Sequence, residues 1–310
     1  MPMNEATVQI APIPDTDHVI HLRDVDKLYN IGMPDEVRIL DNIDLSVRRG
    51  EFLSVVGPSG CGKSTLLKMV IGQVEHTSGD VLINGEAAGK PDARRGVVYQ
   101  NYSLAPHLNA LDNVTLGKRL STTPWGWFAN KKQYYQEGMS HLERVGLADH
   151  AHKYPKELSG GQRQRVAIAQ ALIQDHSILC MDEPFSALDT GTQESLQMFL
   201  LELWEETSMT ILFVTHDLHE AVFLGTRCIA LSQYWEGETD GITITGKEQG
   251  ARIVIDRKVG EIGQAFSPSI KGDTQFASMV DDIKAKAFSP EYRQLLSRFQ
   301  LEHPDSWRTL

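Results

Sequence analysis

The segment EFLSVVGPSGCGKS, from Glu51 to Ser64, constrains the fold more than any other part of the sequence. Its first half is an apolar run of strand length. Its second half matches the pattern G-x-x-x-x-G-K-[ST], in which glycines let the backbone turn sharply before a helix. We therefore predict a buried strand, a glycine-rich loop and a helix from about Lys63 to Gly72.

Apolar strands and helical segments alternate further along the chain. SILCMDE, TILFVTH and RCIALS are typical of buried strands, and helices are predicted at about 190–206 and through LHEAVFLG. Such alternation favours a mostly parallel sheet covered by helices on both faces, an α/β architecture. Alternating residues from His18 and a turn at Asn84–Gly85 predict further strands. Between two strands of the sheet, the helical pattern at about 102–171 predicts an inserted subdomain.

The two ends of the chain are less regular than the middle. Three prolines and little periodicity predict a loose leader at 1–17, followed by a main domain at 18–232 and a C-terminal extension at 233–310. Within the extension, EGETDGITITGKEQGARIVIDRKV is predicted to form a polar hairpin, and Ser289 to His303 a terminal helix.

Composition narrows the classes of function. With 310 residues, 41% of them hydrophobic, the chain can bury a sizeable core. Its net charge of -11 argues against broad binding to nucleic acid or anionic lipid. No apolar run approaches the roughly 18 residues of a membrane span, and we predict no signal peptide. Cys61, Cys180 and Cys228 lack metal-type spacing, which favours reduced thiols in a cytosolic protein.

The glycine-rich loop is a candidate phosphate site. Its backbone N–H groups and the following helix N-terminus would face an anion. Lys63 would reach the β- and γ-phosphates of a nucleotide, and the Ser64 hydroxyl would bind Mg²⁺. The alternative is a chance glycine turn, which the flanking strand and helix disfavour. The predicted nucleotide-binding residues are Gly57, Pro58, Ser59, Gly60, Cys61, Gly62, Lys63, Ser64 and Thr65.

Two carboxylates end the strand SILCMDE. The carboxyl ends of parallel strands face the crevice where ligands of open α/β sheets bind. Asp182 is therefore placed to hold Mg²⁺, through water, opposite Ser64. Glu183 could polarise an attacking water as general base. The alternative is a solvated acidic strand end.

His216 and Gln100 also follow strands. His216 ends TILFVTH and could hydrogen-bond a γ-phosphate and orient the water, although a lone histidine is more often structural. Gln100 ends RGVVYQ, and its amide could meet Mg²⁺ or the water. A surface glutamine is the plain alternative. We predict Glu183, His216 and Gln100 as catalytic residues, and Ser64, Gln100 and Asp182 as metal ligands.

Several motifs occur in one order along the chain: GPSGCGKST, VVYQN, LSGGQRQR, ILCMDEP, SALD and VTHD. In this combination the chain resembles the nucleotide-binding subunit of an ABC transporter, over about His18 to Ser232. LSGGQ is far more specific than the phosphate loop. The resemblance implies a RecA-like P-loop core with an antiparallel β subdomain and an inserted helical subdomain, which is the ABC ATPase fold.

The resemblance also assigns roles to residues outside the phosphate loop. Tyr29 would stack on adenine, and Gln100 would be a hinge between the core and the helical subdomain. LSGGQRQR places two glycines before a helix, so its backbone N–H groups can hold an anion. By resemblance, that anion is the ATP of a partner subunit. The implied contacts to it are Ser159, Gly160, Gly161, Gln162 and Asp189.

The implied activity is hydrolysis of ATP with Mg²⁺ by a peripheral subunit on the cytoplasmic face of the inner membrane. The implied partners are ABC transmembrane permease subunits, a second nucleotide-binding subunit and, indirectly, an extracytoplasmic substrate-binding protein, with no nucleic acid. VTHDLHEAVFLGTRCIALS and DEPFSALDTGTQESLQMFLLELWEET look like the nitrate, sulfonate and taurine importer branch. The alternatives are an exporter or lipid-trafficking ATPase, or an ABC ATPase outside transport.

The aromatic cluster Trp125, Trp127 and Phe128 lies within the predicted helical subdomain. It could contact the permease or lie against the lipid interface, where indoles are favoured. Ordinary packing inside a longer loop is the alternative. The acidic tail could be a regulatory or dimer-contact element, or simply a solvated extension.

Overall fold

The computed structural model describes residues 17–100, 104–174, 176–239, 242–291 and 293–306. The predicted leader at 1–17 therefore lies almost wholly outside the described residues. The strands are β1 (His18–Tyr29), β2 (Val37–Arg48), β3 (Phe52–Val56), β4 (Ser78–Ile83), β5 (Glu86–Ala87), β6 (Arg95–Val98), β7 (Ile178–Asp182), β8 (Thr210–Val214), β9 (Arg227–Ser232), β10 (Trp235–Thr239), β11 (Ile242–Thr245), β12 (Arg252–Lys258), β13 (Gln294–Leu295) and β14 (Gln300–Leu301).

The helices are distributed along the whole chain between these strands. They are α1 (Lys63–Ile71), α2 (Ala110–Val114), α3 (Leu116–Ser121), α4 (Pro124–Arg144), α5 (Gly160–Leu172), α6 (Thr190–Thr207), α7 (Leu218–Leu224), α8 (Gly246–Gln249) and α9 (Thr274–Ala287).

The central sheet has seven strands in the order β14-β12-β9-β3-β8-β7-β6. From β9 to β6 all neighbours are parallel, because each connection includes a helix or a longer crossover. The carboxyl ends of β3, β6, β7 and β8 therefore meet at one edge. β12 joins β9 in antiparallel orientation and adds to this sheet from the C-terminal region.

A second, antiparallel sheet has the order β2-β1-β4-β5. Its apolar face and α1 pack on one side of the central sheet, and α5, α6, α7 and α9 contribute to the apolar cluster on the other. Successive side chains of a strand point to opposite faces of the sheet, so neighbouring residues join different apolar clusters. Leu179 and Met181 of β7 belong to one cluster, whereas Ile178 and Cys180 belong to the other.

Helices α2 to α5 lie between β6 and β7, in the region predicted as the helical subdomain. The subdomain bounds at 102–171 stay a prediction, as do the domain bounds at 17/18 and 232/233. Of the described helices, none is long and apolar enough to span a bilayer.

The terminal helix predicted at Ser289 to His303 is wrong. The helix of this region is α9, and the later residues form the short strands β13 and β14. β13 pairs with β10 and β14 with β12, so long-range backbone bonds decide the conformation. The predicted polar hairpin is only partly correct, because β10 and β11 pair with each other but β12 is buried in the central sheet.

Candidate functional site

The glycine-rich loop joins β3 to α1, as the sequence predicts. The Lys63 ammonium is buried and donates to the carbonyl oxygens of Gly57 at 2.7 Å and Pro58 at 3.0 Å. Ser59 and Gly60 are exposed at the loop tip, and Thr65 lies half-buried in the first turn of the helix. The loop is thus held from within by its own lysine.

Two glycines of the loop are required by space as well as by backbone conformation. Gly57 has φ +150, and a Cβ there would lie 2.2 Å from the carbonyl oxygen of Leu231. Gly62 has φ +99 and precedes α1, where a Cβ would lie 2.7 Å from Leu40 Cδ2. Cys61 is buried beside Gly57, and burial raises the pKa of its thiol. This cysteine is therefore a packing residue with an unreactive, protonated thiol.

The N-terminus of α1 supplies the anion-binding groups of this loop. The N-cap is Gly62, which has no side chain to accept from the first N–H groups of the helix. Those donors have no partner one turn earlier in the helix. The positive end of the helix dipole lies at the same point. The loop can therefore hold a phosphate with backbone N–H groups.

Ser64 and Asp182 come together across the loop. Ser64 Oγ donates to Asp182 Oδ1 at 3.1 Å, which links the first turn of α1 to the end of β7. Burial raises the pKa of Asp182, and the charge of neighbouring Glu183 raises it further. The hydrogen bond from Ser64 and the charges of two lysines lower it, but by less. A carboxylate in this position is stabilised by an added cation.

Polar groups from two other strand ends meet Glu183. Gln100 Nε2 donates to Glu183 Oε2 at 3.2 Å, and His216 Nδ1 lies 3.2 Å from the same oxygen. The glutamate is about 20% exposed and the histidine about 60% exposed, so solvent reaches the group. The structure therefore joins all three predicted catalytic residues at one carboxylate oxygen.

The backbone of Glu183 is strained, which the sequence did not indicate. Its φ is +48, in the left-handed region that non-glycine residues rarely adopt. Its N–H donates to Val214 O at 2.9 Å, and Ser186 Oγ donates to its carbonyl at 2.9 Å. Such a conformation costs on the order of 1 kcal/mol and persists where surrounding bonds fix it. These bonds hold the backbone that carries the Glu183 side chain.

The donor set fits Mg²⁺ held with a nucleotide. Magnesium prefers oxygen ligands and is commonly bound by one or two carboxylates together with substrate phosphates. Ser64 and Asp182 supply a hydroxyl and a carboxylate at one point. The described residues contain no group of three or more histidine, cysteine, aspartate or glutamate side chains suited to a metal. This agrees with a Mg²⁺ site in which phosphate oxygens of the nucleotide supply the remaining ligands.

Glu220 is a buried polar residue that the sequence reasoning missed. Its carboxylate accepts from Thr215 Oγ1 at 2.6 Å and from Gln197 Nε2 at 3.2 Å, and Thr215 directly precedes His216 in the chain. Burial raises its pKa above the ordinary value. A signal was present, since Glu220 lies three residues after Asp217, the N-cap of α7. Its bonds fix the turn that carries the histidine.

The LSGGQ segment forms the N-terminus of α5. The Ser159 hydroxyl accepts from Gln162 N at 3.2 Å, and Gln162 Oε1 accepts from Ser159 N at 3.0 Å, which makes a capping box. A Cβ on Gly161 would lie 3.2 Å from Leu188 Cδ2, so the segment adjoins the loop before Asp189. Asp189 caps α6 by accepting from Thr192 N at 3.0 Å.

Tyr29 is the last residue of β1. The residue is about 38% exposed, and the Lys27 ammonium lies 4.6 Å from the centroid of its ring. Among the described residues, no hydrogen bond links the Tyr29 side chain to the phosphate loop. Its role in stacking on adenine stays a prediction.

A parallel α/β sheet with a phosphate loop after one strand and an acidic pair after another defines a P-loop nucleotide-hydrolysing protein. The ABC transporter family profile matches residues 40–186. The taurine import ATP-binding protein TauB of Escherichia coli (strain K12) is 38% identical over 263 residues, which are 83% of this chain and 94% of that protein. An uncharacterised ABC transporter ATP-binding protein of Methanocaldococcus jannaschii, MJ0412, is 45% identical over 63% of this chain and 71% of its own length.

Solved structures agree with the fold. The ATP-binding cassette MJ0796, in a dimeric post-hydrolysis state bound to ADP and Pi, matches with a TM-score of 0.64 and 30% identity over 80% of this chain and all of that one. CbiO1 of Clostridium perfringens, part of an ABC transporter complex, is only 20% identical at a TM-score of 0.63 over 86% of this chain and 95% of its own. It supports the fold alone.

The chain belongs to the ATP-binding proteins of ABC transporters, a family of ATP-hydrolysing cassettes. The predicted fold class and the predicted enzyme class are thereby confirmed. The similarity to taurine import proteins agrees with the branch that the sequence resembles.

Proposed function

We propose that the chain is the energy-coupling ATPase subunit of an ABC importer for nitrate-, sulfonate- or taurine-type solutes. The similarity to taurine import proteins over most of the chain supports import over export.

The phosphate loop would hold ATP through its backbone N–H groups and the N-terminus of α1. Lys63 would exchange at least one of its bonds to Gly57 and Pro58 for an oxygen of the β- or γ-phosphate. Mg²⁺ would be bound by Ser64, by Asp182 through water, and by the Gln100 amide oxygen. When bound, Mg²⁺ would neutralise charge on the phosphates. Burial of Asp182 supports this assignment.

Glu183 would take the proton of the attacking water. The single observation that carries this role is that Gln100 and His216 both meet Glu183 Oε2 at 3.2 Å. Two groups from separate strands hold one oxygen of the carboxylate, so the other oxygen is left to orient water. His216 would also hydrogen-bond the γ-phosphate. Positioning of this kind is what general base catalysis needs.

Hydrolysis would require two chains arranged head to tail. Ser159, Gly160, Gly161 and Gln162 would close on the γ-phosphate bound by the partner subunit, and Asp189 would contact that subunit. The observation in support is that these residues form a second helix N-terminus suited to an anion, on α5. The solved relative MJ0796 is described as dimeric.

The dimer would bind ABC permease subunits at the cytoplasmic face of the inner membrane, and through them act on an extracytoplasmic substrate-binding protein. Closure on ATP would change the access state of the permease, and hydrolysis would reset it. Co-purification of the intact complex from its native source, with identification of its partners, tests this assignment. A periplasmic adaptor in place of a substrate-binding protein would indicate export.

The test of the site is Glu183→Gln. We expect ATP hydrolysis to fall by at least about a hundredfold, the usual contribution of a general base, while ATP binding is kept. Glu194→Gln is the matched control, because it makes the same change at an exposed carboxylate of α6. Hydrolysis of the Glu183 variant at the parental rate would show that another group is the base.

A further inference from the structure

Three large apolar side chains lie exposed near the junction of α3 and α4. Trp125 is 87% exposed, Leu120 77% and Phe128 73%. Trp125 and Phe128 are three residues apart on α4 and so share one face of the helix. Isolated exposed apolar residues are common, but two large aromatics on one helical face mark an interaction surface. We call Leu120, Trp125 and Phe128 the aromatic patch.

The aromatic patch is held in place and does not fold onto the protein. Trp127 is buried and stacks on Tyr134 with ring centroids 5.5 Å apart, so it fixes α4 from its inner side. This differs from the expectation that all three clustered aromatics form one surface. Thr123 caps the helix by accepting from Gly126 N at 3.2 Å. Trp125, between these anchors, is therefore directed outward.

The charge around the aromatic patch is opposite to that of the whole chain. From Leu116 to Lys132 the sequence has four cationic residues and no acidic one, although the net charge of the chain is -11. Lys131 and Lys132 line the same groove as Phe128. In the described part of the chain neither lysine forms an ion pair, and Lys131 lies over the ring of Tyr135. The cations therefore remain available to an external anion.

We propose that the aromatic patch and Lys131 and Lys132 bind the surface of a bilayer that contains anionic phospholipid. Trp125 and Phe128 would enter the interface, where aromatic rings are favoured, and the lysines would meet headgroup phosphates. The chain as a whole is acidic, with a net charge of -11, so the local excess of cations makes this face suited to such a surface. The contact is made by the chain itself and is separate from hydrolysis and from the permease.

Lipid fits these residues better than a protein partner does. Protein interfaces are depleted of lysine at their centre, whereas juxtamembrane segments attract anionic lipid through lysines beside aromatic anchors. Here the aromatics project outward and the lysines stand beside them. A permease helix seated in the groove of Phe128, Tyr135 and Met139 is the competing occupant, and the experiment below separates the two.

The experiment is co-sedimentation of the purified full chain with vesicles, without nucleotide or permease. We expect binding to vesicles of phosphatidylglycerol mixed with phosphatidylcholine, weaker binding at high salt, and none to phosphatidylcholine alone. Lys131→Gln with Lys132→Gln should lower the partition about thirtyfold, at the usual contribution per lysine. Trp125→Ala with Phe128→Ala should lower it by about tenfold or more.

Matched controls separate this surface from general charge effects. Lys247→Gln with Lys284→Gln makes the same charge change at exposed positions elsewhere, and partition should stay as in the parent. Among the described tryptophans only Trp125 is exposed, so its emission should shift to the blue on binding. Trp125→Phe should bind but lose the shift. ATP hydrolysis should be unchanged in every variant, as a check of folding.

Two results would overturn the proposal. One is equal binding of parent and patch variants to anionic vesicles. The other is an absence of vesicle binding together with loss of permease co-purification in Trp125→Ala with Phe128→Ala, which would assign the patch to a protein partner. Failure of the ATPase assignment would appear in the Glu183 variant instead, so the two proposals fail independently.

Discussion

Arg227 holds together three segments that are far apart in sequence, and its replacement is the most stringent test of the fold. The guanidinium is fully buried and donates to Asp256 Oδ1 at 2.6 Å and Oδ2 at 2.5 Å. It also donates to the Ser46 carbonyl at 2.6 Å and lies 3.4 Å from Glu51 Oε1. Burial alone would lower its pKa, but Asp256 and Glu51 raise it above the ordinary value. The arginine is therefore charged at any pH at which the protein folds.

Arg227→Met would leave two buried carboxylates without a cation. Glu51 and Asp256 are each 1% exposed, so both carboxylates are shielded from bulk water. Removing one partner of a buried ion pair typically costs about 3–5 kcal/mol. We expect a loss of that size in the free energy of unfolding, and a fall in melting temperature of roughly 5–10 °C for a chain of this length.

The loss should depend on pH in a direction that the structure fixes. Burial raises the pKa of Glu51 above its ordinary value of 4.5, and Arg227 opposes this rise. Without the arginine the folded-state pKa moves further up. A carboxyl whose pKa is raised in the folded state binds its proton more tightly there than in the unfolded chain. Its ionisation therefore costs no stability below the unfolded-state pKa, and the cost develops as pH rises through the folded-state pKa. The loss in the free energy of unfolding of Arg227→Met should be smallest near pH 5 and largest near pH 8.

Denaturant unfolding and thermal melts across this pH range measure the effect. Arg227→Lys is the charge control: it keeps a cation but not the forked donor geometry, and its loss should be smaller. A triple variant that also carries Glu51→Gln and Asp256→Asn should recover more than half of the loss, since no unpaired charge remains. A loss for Arg227→Met below about 1 kcal/mol, or one independent of pH, would refute the reasoning.

Two further predictions concern glycines. Gly57→Ala should weaken ATP binding by about tenfold or more, because its Cβ would meet the Leu231 carbonyl and the loop must shift. Gly263→Ala is the control, because Gly263 has φ +80 but a Cβ there would lie in open space outside the site. Its ATP affinity, measured by titration, should equal that of the parent. An equal loss of ATP affinity in both variants would contradict the steric argument. Gly160→Asp should keep ATP binding but lower hydrolysis by about a hundredfold, because it sets a negative charge against the partner's phosphate. Loss of binding itself would contradict the head-to-tail arrangement.

The local patterns of the sequence were sufficient for the elements that hold the site. Helix α1 was predicted from Lys63 to Gly72 and runs over Lys63–Ile71, and α6 was predicted at 190–206 and runs over Thr190–Thr207. Both have strong local signals: a glycine loop before one, and an aspartate cap before the other. Buried strands between helices were equally clear.

The C-terminal region could not be predicted in the same way. A terminal helix is predicted from Ser289 to His303, but Gln294 N donates to Tyr234 O and His303 N to Asp256 O, so distant strands determine the conformation. The helix α9 did carry a local signal, since Asp273 caps it through Gln275 N at 2.7 Å. Its buried positions recur at helical spacing: Phe276, Val280, Ile283 and Ala287.

Within the site, the sequence predicts which residues lie close together, but not the backbone conformation or the atom at which they meet. Strand ends place Gln100, Glu183 and His216 at one edge of the sheet, which follows from parallel pairing alone. The positive φ of Glu183 and its shared oxygen depend on tertiary contacts with Val214 and could not be read from local patterns. The exposure of Trp125 and the burial of Trp127 likewise required the orientation of α4.

In both halves of the proposed composite site, polar side chains are already hydrogen-bonded within the chain. Lys63 bonds to two carbonyls of its own loop, and Ser159 and Gln162 bond to each other. Each such bond has a net value of about 1 kcal/mol, so phosphate contacts must replace bonds already made. A ligand shifts a conformational equilibrium only by its difference in affinity for the two states. ATP held by one loop can thus favour closure only through contacts added by the second chain. A chain in which only one half of the composite site is intact should bind ATP and yet hydrolyse it poorly, because contacts from both halves to the same phosphate are what favour closure.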